Sequence, residues 1–234
     1  MNSHVEKRNR WVDHMIDNNL TMVSVLKALN KTDAEYHTTQ HMIGVATLVY
    51  VYFMKLYYGR IKPNNAIMQA ALFHDYKYNV YLDNDRDKVS ETIDHLIEDM
   101  SVLNAKIDNS VLKMIEYTEW PHREIAKRDL ALAENIEILR NADLIYSTVF
   151  CEFDVVAGLF IEMHNNDSDY NADIVTKFIH RNIKFMNDQD FSSDKTMLFS
   201  QFKDMSIEYA MQVHNDMLAN IDTTVEKIKL MREK

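Results

Sequence analysis

Apolar residues in this chain mostly recur every three or four positions, the spacing of one helix face, and seldom alternate as in a half-buried strand. The first such run extends from about Val5 to Leu29, with Trp11, Met15, Met22, Val25, Leu26 and Leu29 in register. Asn30 to Glu35 is a polar break. A second helix is predicted from about Thr38 to Tyr58, with Gly59 as its C-terminal stop. Pro63 suits the start of a third, which carries Ala66 to His74. Tyr78 to Asp87, rich in Asn and Asp, reads as a loop. A fourth helix follows, with Ser90 just inside it, and reaches Met100. Asp108 is placed to cap a fifth over Asn109 to Tyr117. "TEWPH" interrupts the pattern, because Pro121 cannot continue a helix and restricts Trp120 before it. A sixth helix begins near Arg123 and either breaks near Asn135 or runs on through Asp143 towards His164. "ADIVTKFIHRNIKFM" is a further helix, Asn187 to Ser193 a polar break, and the remainder helix. "TLVYVYF" is strand-like in composition, but its length and flanks favour helix. The expected fold is all-α. No linker divides the chain, so one domain is expected over residues 1–234.

Composition supports this reading. Gly occurs 3 times and Pro twice in 234 residues, too few breakers for a sandwich or barrel rich in tight turns. Gly44, Gly59 and Gly158 lie too far apart to build a P-loop or a dinucleotide-binding turn. The hydrophobic fraction of 47% is that of a folded chain able to bury a core. Met42 to Met54 is the longest apolar stretch and falls short of the roughly 20 residues a membrane span needs. The N-terminus shows no apolar signal-peptide core, so a cytoplasmic protein is expected.

The net charge of −10, without a long Lys/Arg run, argues against a long nucleic acid as partner. A small anionic substrate in a locally positive pocket remains compatible with it. Cys151 is the only cysteine, which removes intrachain disulfides and thiolate zinc sites. Any metal must be held by His and carboxylates.

Of the 10 histidines, His4, His14, His164, His180 and His214 show no partner pattern and are read as surface or capping residues. His37 and His41 differ. Four apart at the start of a helix, they would lie about 40° apart around its axis and could converge on one object. His74 and Asp75 follow the apolar run Ala70-Ala71-Leu72-Phe73. Adjacent helical side chains diverge, so either one metal sits in the cleft between them or the helix ends there; the loop after Tyr78 allows the latter. Asp143 lies among Ile138, Leu139, Ala142, Leu144 and Ile145, and is expected to point into the core. A buried carboxylate is costly unless paired, hydrogen-bonded or bound to metal. Arg140 or a neighbouring His could be its partner instead. His41, His74, Asp75 and Asp143 together suit a divalent Mn, Fe, Mg, Co, Ni or Zn ion.

The order H…HD…D on helices resembles the HD superfamily of metal-dependent phosphohydrolases. "YHTTQH", "AALFHDYKY", "MIEYTEWPH" and "NADLIYS" are similar to the motifs of its small bacterial and phage group, "YHN..H", "FHD..Y", "T..H" and "ADL". The resemblance covers about Tyr36 to Tyr146 and implies an all-α HD-domain bundle with a helical C-terminal extension, the latter over about 165–234. It implies metal-ligand roles for His41, His74, Asp75 and Asp143. His37 matches a histidine that protonates the leaving oxygen in cyclic-nucleotide phosphodiesterases with a similar element. Three departures stand out: Thr38 replaces the common Asn, "TEWPH" has one residue more than "T..H", and "DNDRDKVS" only loosely matches the group's "DNEERS".

The implied chemistry is hydrolysis of a nucleotide-like phosphoester. A divalent cation lowers the pKa of a bound water and polarises a phosphoryl oxygen. Asp75, or Asp143, accepts a proton, and His37 donates one. Lys77, Arg86, Lys88 and Arg123 flank the motifs and are placed to neutralise phosphate. Tyr78 or Trp120 could stack on a base. His122 matches a position that holds a second metal in some HD proteins, and His95 lies in the same interval. Two other readings compete: a metal- or nucleotide-binding sensor without turnover, and a di-iron oxygenase. The segment beyond about Asn165 carries no motif and could cover the pocket, form a homodimer contact or complete the core.

Overall fold

The computed structural model describes residues 22–56, 63–165, 170–191 and 197–233. The predicted stop at Gly59, most of the first predicted helix, and His4 and His14 fall outside them. Among the described residues the chain is helix after helix, with no strand. No single described helix is long and apolar enough to cross a membrane. The chain forms two compact units. Among the described residues, one comprises those from 22 to 33 and from 37 to 143, and the other those from 34 to 36 and from 144 onward. The division falls inside a helix, where no change of composition marks it.

The first unit contains the tail of the first predicted helix, helical over residues 22–29. There follow α1 (Thr39–Leu56), α2 (Asn65–Phe73), α3 (Asp85–Val102) and α4 (Asn109–Glu116). A 3-10 segment (Lys127–Leu132) leads into α5 (Ala133–Val149). α1 is buried at every position from His41 to Val49, so it is apolar nearly all round and serves as a central helix. α2 packs on α1 and α4, and α3 packs on α4. Met42, Val45 and Tyr52 of α1, Ile67, Ala70 and Phe73 of α2, and Val111 and Met114 of α4 make the core, with Ile136 and Leu139 of α5.

Helix starts follow local chemistry. Asn64, Asn84 and Asp108 each accept a backbone N–H from the first turn beyond them. The cap at Asp108 is the expected one. Asn84 starts α3 inside the stretch expected to be loop, so Ser90 lies five residues into the helix and not at its edge. The predicted sixth helix is broken as a 3-10 segment, then α5, then α6 (Phe153–Met163).

The second unit holds α6, α7 (Ala172–Asp188), α8 (Met197–Ala219) and α9 (Ile221–Arg232). Its core gathers Val156, Phe160, Val175, Ile179, Met186, Ala210, Met217 and Ile228. Asn220 divides what the pattern shows as one terminal helix into α8 and α9.

Candidate metal centre

Four side chains from three parts of the first unit meet. One ligand atom from each of His41, His74, Asp75 and Asp143 lies within 4.8 Å of every other. His41 Nε2 lies 3.1 Å from His74 Nε2, 3.1 Å from Asp75 Oδ2 and 3.1 Å from Asp143 Oδ1. His74 Nε2 lies 3.0 Å from Asp75 Oδ2 and 3.5 Å from Asp143 Oδ1.

Local structure explains the convergence. Thr38 caps α1, its hydroxyl accepting the His41 N–H at 3.3 Å, so His41 sits in the first turn, facing inward. His37 therefore precedes the helix and does not share its face with His41, as the spacing suggested. Its ring nevertheless lies edge-on to that of His41, with centroids 5.3 Å apart. At the other end of the pair, α2 stops at Phe73 and His74 is its C-cap. A turn follows, closed by Tyr78 N–H donating to Asp75 C=O at 3.1 Å, with Lys77 at φ 51°. Leaving the helix is what lets two neighbouring side chains point to one place. His74 Nδ1 donates to Ala71 C=O at 2.9 Å, which aims Nε2 at the cluster. Asp143 comes from the middle of α5 and meets the histidines, not Arg140.

The donor set fits a divalent cation. Bonds of about 2.1 Å place neighbouring ligands roughly 3.0 Å apart in an octahedron and about 3.4 Å in a tetrahedron. Four of the five separations above fall in that range, and the fifth, His74 Nε2 to Asp143 Oδ1 at 3.5 Å, lies just beyond it. Asp75 Oδ2 is buried close to two ring nitrogens, yet is aligned for a hydrogen bond with neither. A buried carboxylate oxygen in that position is costly without a cation. Electrostatics agree. Burial pulls His74 down, but Asp75 and Asp143 outweigh it and hold the imidazole well above its ordinary value. Burial pushes Asp75 and Asp143 up, and the surrounding histidines more than reverse this, so both carboxyls lie well below the usual range. The site is built to hold positive charge.

The other predicted residues are distributed unevenly. His37 stacks on Tyr78 at a centroid distance of 3.9 Å, and its charge acts on Asp75. Lys88 reaches the same stack, donating to Tyr78 Oη at 3.1 Å. Lys77 is bound to Asp99 at 2.5 Å. Arg86 is exposed in the first turn of α3. Arg123 pairs with Glu116 at 2.6 Å. His95 lies 3.7 Å from Glu91 on its own helix and does not join the four clustered residues. His122 does not join them either; burial and then Arg140 bring it down to about 4, against the pull of Asp143.

Three residues brace the surrounding segments in ways that the sequence does not announce. Asn30 accepts the Lys77 N–H at 2.7 Å and donates to Thr39 Oγ1 at 3.1 Å, so it ties the His74-Asp75 turn to the start of α1. Asp85 accepts the Trp120 N–H at 2.6 Å. Its carboxyl is pushed up by burial against that bond, with Asp75 adding to the rise and His37 and Lys88 opposing it. Arg140 is buried and donates to Tyr117 C=O at 2.5 Å and Arg123 C=O at 2.9 Å. Asn30 lies in what reads as a polar break, and no local pattern distinguishes it.

In the second unit His214 overturns its surface assignment. It is fully buried, donating from Nδ1 to Ala210 C=O at 2.8 Å, with Asn182 Nδ2 2.8 Å from Nε2. Cys151 Sγ is 3.8 Å from Nδ1. Burial, then the charge of Glu152, pushes that thiol up to about 12, so the trio supplies no thiolate nucleophile. His164 and His180 keep their expected roles, the first at the end of α6 and the second exposed.

No family model, curated protein or solved structure matches this chain.

Proposed function

We propose that this protein is a metal-dependent phosphohydrolase acting on a small nucleotide-like phosphoester. The observation that carries the reading is the convergence of His41, His74, Asp75 and Asp143 at metal-ligand spacing inside an all-helical unit. Their order along the chain is the H…HD…D order whose resemblance to HD phosphohydrolases implies this chemistry.

His41, His74, Asp75 and Asp143 would hold the cation. When bound, a divalent ion there supplies Lewis acidity toward a phosphoryl oxygen and toward water. The remaining chemistry belongs to side chains. Asp143 is the least buried of the four, with 26% of its side chain exposed, and Asp75 is nearly closed off. Asp143 is thus the carboxylate that solvent reaches first, and it or Asp75 takes the proton released as water attacks phosphorus. His37 stands beside this pair, steadied by the Tyr78 ring, in position to protonate the departing oxygen. Tyr78 is itself tethered by Lys88.

The test is metal content followed by a phosphoester screen. His74→Ala and Asp75→Ala are each expected to lose the metal and to lower turnover by more than roughly 100-fold, a loss that removing even an outer-shell partner can reach. Circular dichroism should show the helices unchanged. Turnover retained in either variant overturns the assignment. Bound nucleotide without turnover in the wild type would instead favour a sensor.

A further inference from the structure

Asn30 holds two segments with one side chain. Its Oδ1 accepts the Lys77 N–H at 2.7 Å, and its Nδ2 donates to Thr39 Oγ1 at 3.1 Å. A backbone N–H can only donate, so the amide fits these partners one way round. Each partner stands two residues from a member of the cluster. Lys77 follows Asp75 in the turn after α2, and Thr39 precedes His41 in the first turn of α1.

Asn30 is itself anchored. Its N–H donates to Leu26 C=O at 2.9 Å, at the end of the helix over residues 22–29, where Val23 and Leu26 are buried. Thr32 Oγ1 donates to Tyr78 C=O at 2.7 Å, so one short segment grips the turn at Lys77 and again at Tyr78. The turn needs the grip. Lys77 has φ 51°, a backbone region that few side chains enter readily. Such a residue persists only where its surroundings hold it there.

His41 reaches the cluster from α1, while His74 and Asp75 reach it from the gripped turn. His41 Nε2 lies 3.1 Å from both His74 Nε2 and Asp75 Oδ2, so the spacing of these ligand atoms follows the placing of one segment against the other. Coordination tolerates a drift of only about 0.5 Å.

We propose that Asn30 is a positioning residue for the metal cluster: its amide fixes the His74-Asp75 turn against the start of α1 and so sets how tightly the folded protein holds a cation. The proposal rests on the cation-binding half of the proposed function and does not depend on the reaction.

Equilibrium dialysis of the full chain against Mn²⁺ tests it. Asn30→Ala is expected to raise the Mn²⁺ Kd by roughly tenfold or more, with the helices retained by circular dichroism. At saturating Co²⁺ its visible absorption should differ from that of the wild type, because the ligands no longer meet at the same spacing. Thr39→Val removes one of the two bonds and should raise the Kd by a smaller factor. Both changes act through one amide, so the double variant should bind no more weakly than Asn30→Ala alone. Thr224→Val removes a buried hydrogen bond of the second unit, to Met217 C=O at 3.0 Å, and should leave the Kd unchanged. The proposal is overturned if Asn30→Ala keeps the wild-type Kd or Co²⁺ spectrum, if the two losses multiply in the double variant, or if Thr224→Val weakens Mn²⁺ equally. Should Asn30→Ala fail to fold, an unchanged Kd in Thr39→Val overturns it instead. A wild type that binds neither ion removes the cation site and this proposal together, whereas Asn30→Ala binding like the wild type removes the proposal alone.

Discussion

His74 and His214 are both fully buried, and their neighbours drive them in opposite directions. Burial disfavours the cation at each. At His74 two carboxylates reverse that penalty, and the ring rises well above its ordinary value. At His214 the neighbours are an amide, a thiol and a carbonyl, none of which balances a charge, and burial lowers it against the Ala210 hydrogen bond. The sign of the pH effect follows. As pH falls, unfolded His214 takes up a proton near its ordinary value of about 6.5, before the folded form does. Its contribution to stability is intact above that value and is lost as pH drops toward the folded one. His74 acts with the opposite sign over this range, its contribution growing as pH falls, so the His214 effect is read by difference: the urea midpoint of the wild type relative to that of His214→Gln should fall between pH 8 and pH 5. His122, brought down to about 4, acts with the same sign as His214 in both proteins and cancels in that difference.

A single helix can be specified by what it must let past. α6 carries Gly158 and Glu162 one turn apart, facing the segment Ala34–Tyr36 within the second unit. A Cβ at Gly158 would lie 2.5 Å from Glu35 C=O oxygen and 2.9 Å from its carbon, both backbone atoms that cannot step aside. Glu162 then accepts the Tyr36 N–H at 2.5 Å. Gly158→Ala gains about 1 kcal/mol of helix propensity and incurs an overpacking cost of about 1–3 kcal/mol. The expected net effect is destabilisation, read as a lower urea midpoint with an unchanged slope. A higher midpoint would show that the segment moves away freely.

For the whole molecule, an ion held by the cluster would make stability depend on a ligand. An ion that binds only the folded chain stabilises it by about 2.7 kcal/mol at a free concentration 100 times its Kd. Added Mn²⁺ should raise the melting temperature and a chelator should lower it, while Asp143→Asn should respond to neither. If the wild type is equally indifferent, the four side chains are a self-satisfied polar group. The net charge of −10 bears on the same scale, since on an acidic protein a cation held by the cluster would be what attracts an anion.

Much of this was legible in the linear chain. Helical spacing, scarce glycine and proline and the cap at Asp108 determined an all-α fold, because each acts within one or two turns of backbone. The four clustered residues were legible too: His74, Asp75 and Asp143 stand beside or within apolar runs, where a buried polar group is conspicuous by its cost, and His41 was marked by its spacing from His37. What remained hidden joins positions far apart. Asn30 reaches Lys77 and Thr39, Asp85 reaches Trp120, Arg140 spans Tyr117 to Arg123, and His214 meets Asn182 and Cys151. None of these polar residues looks unusual among its sequence neighbours, because a hydrogen bond's partner is set by how helices pack. Only the tertiary structure decided those pairings.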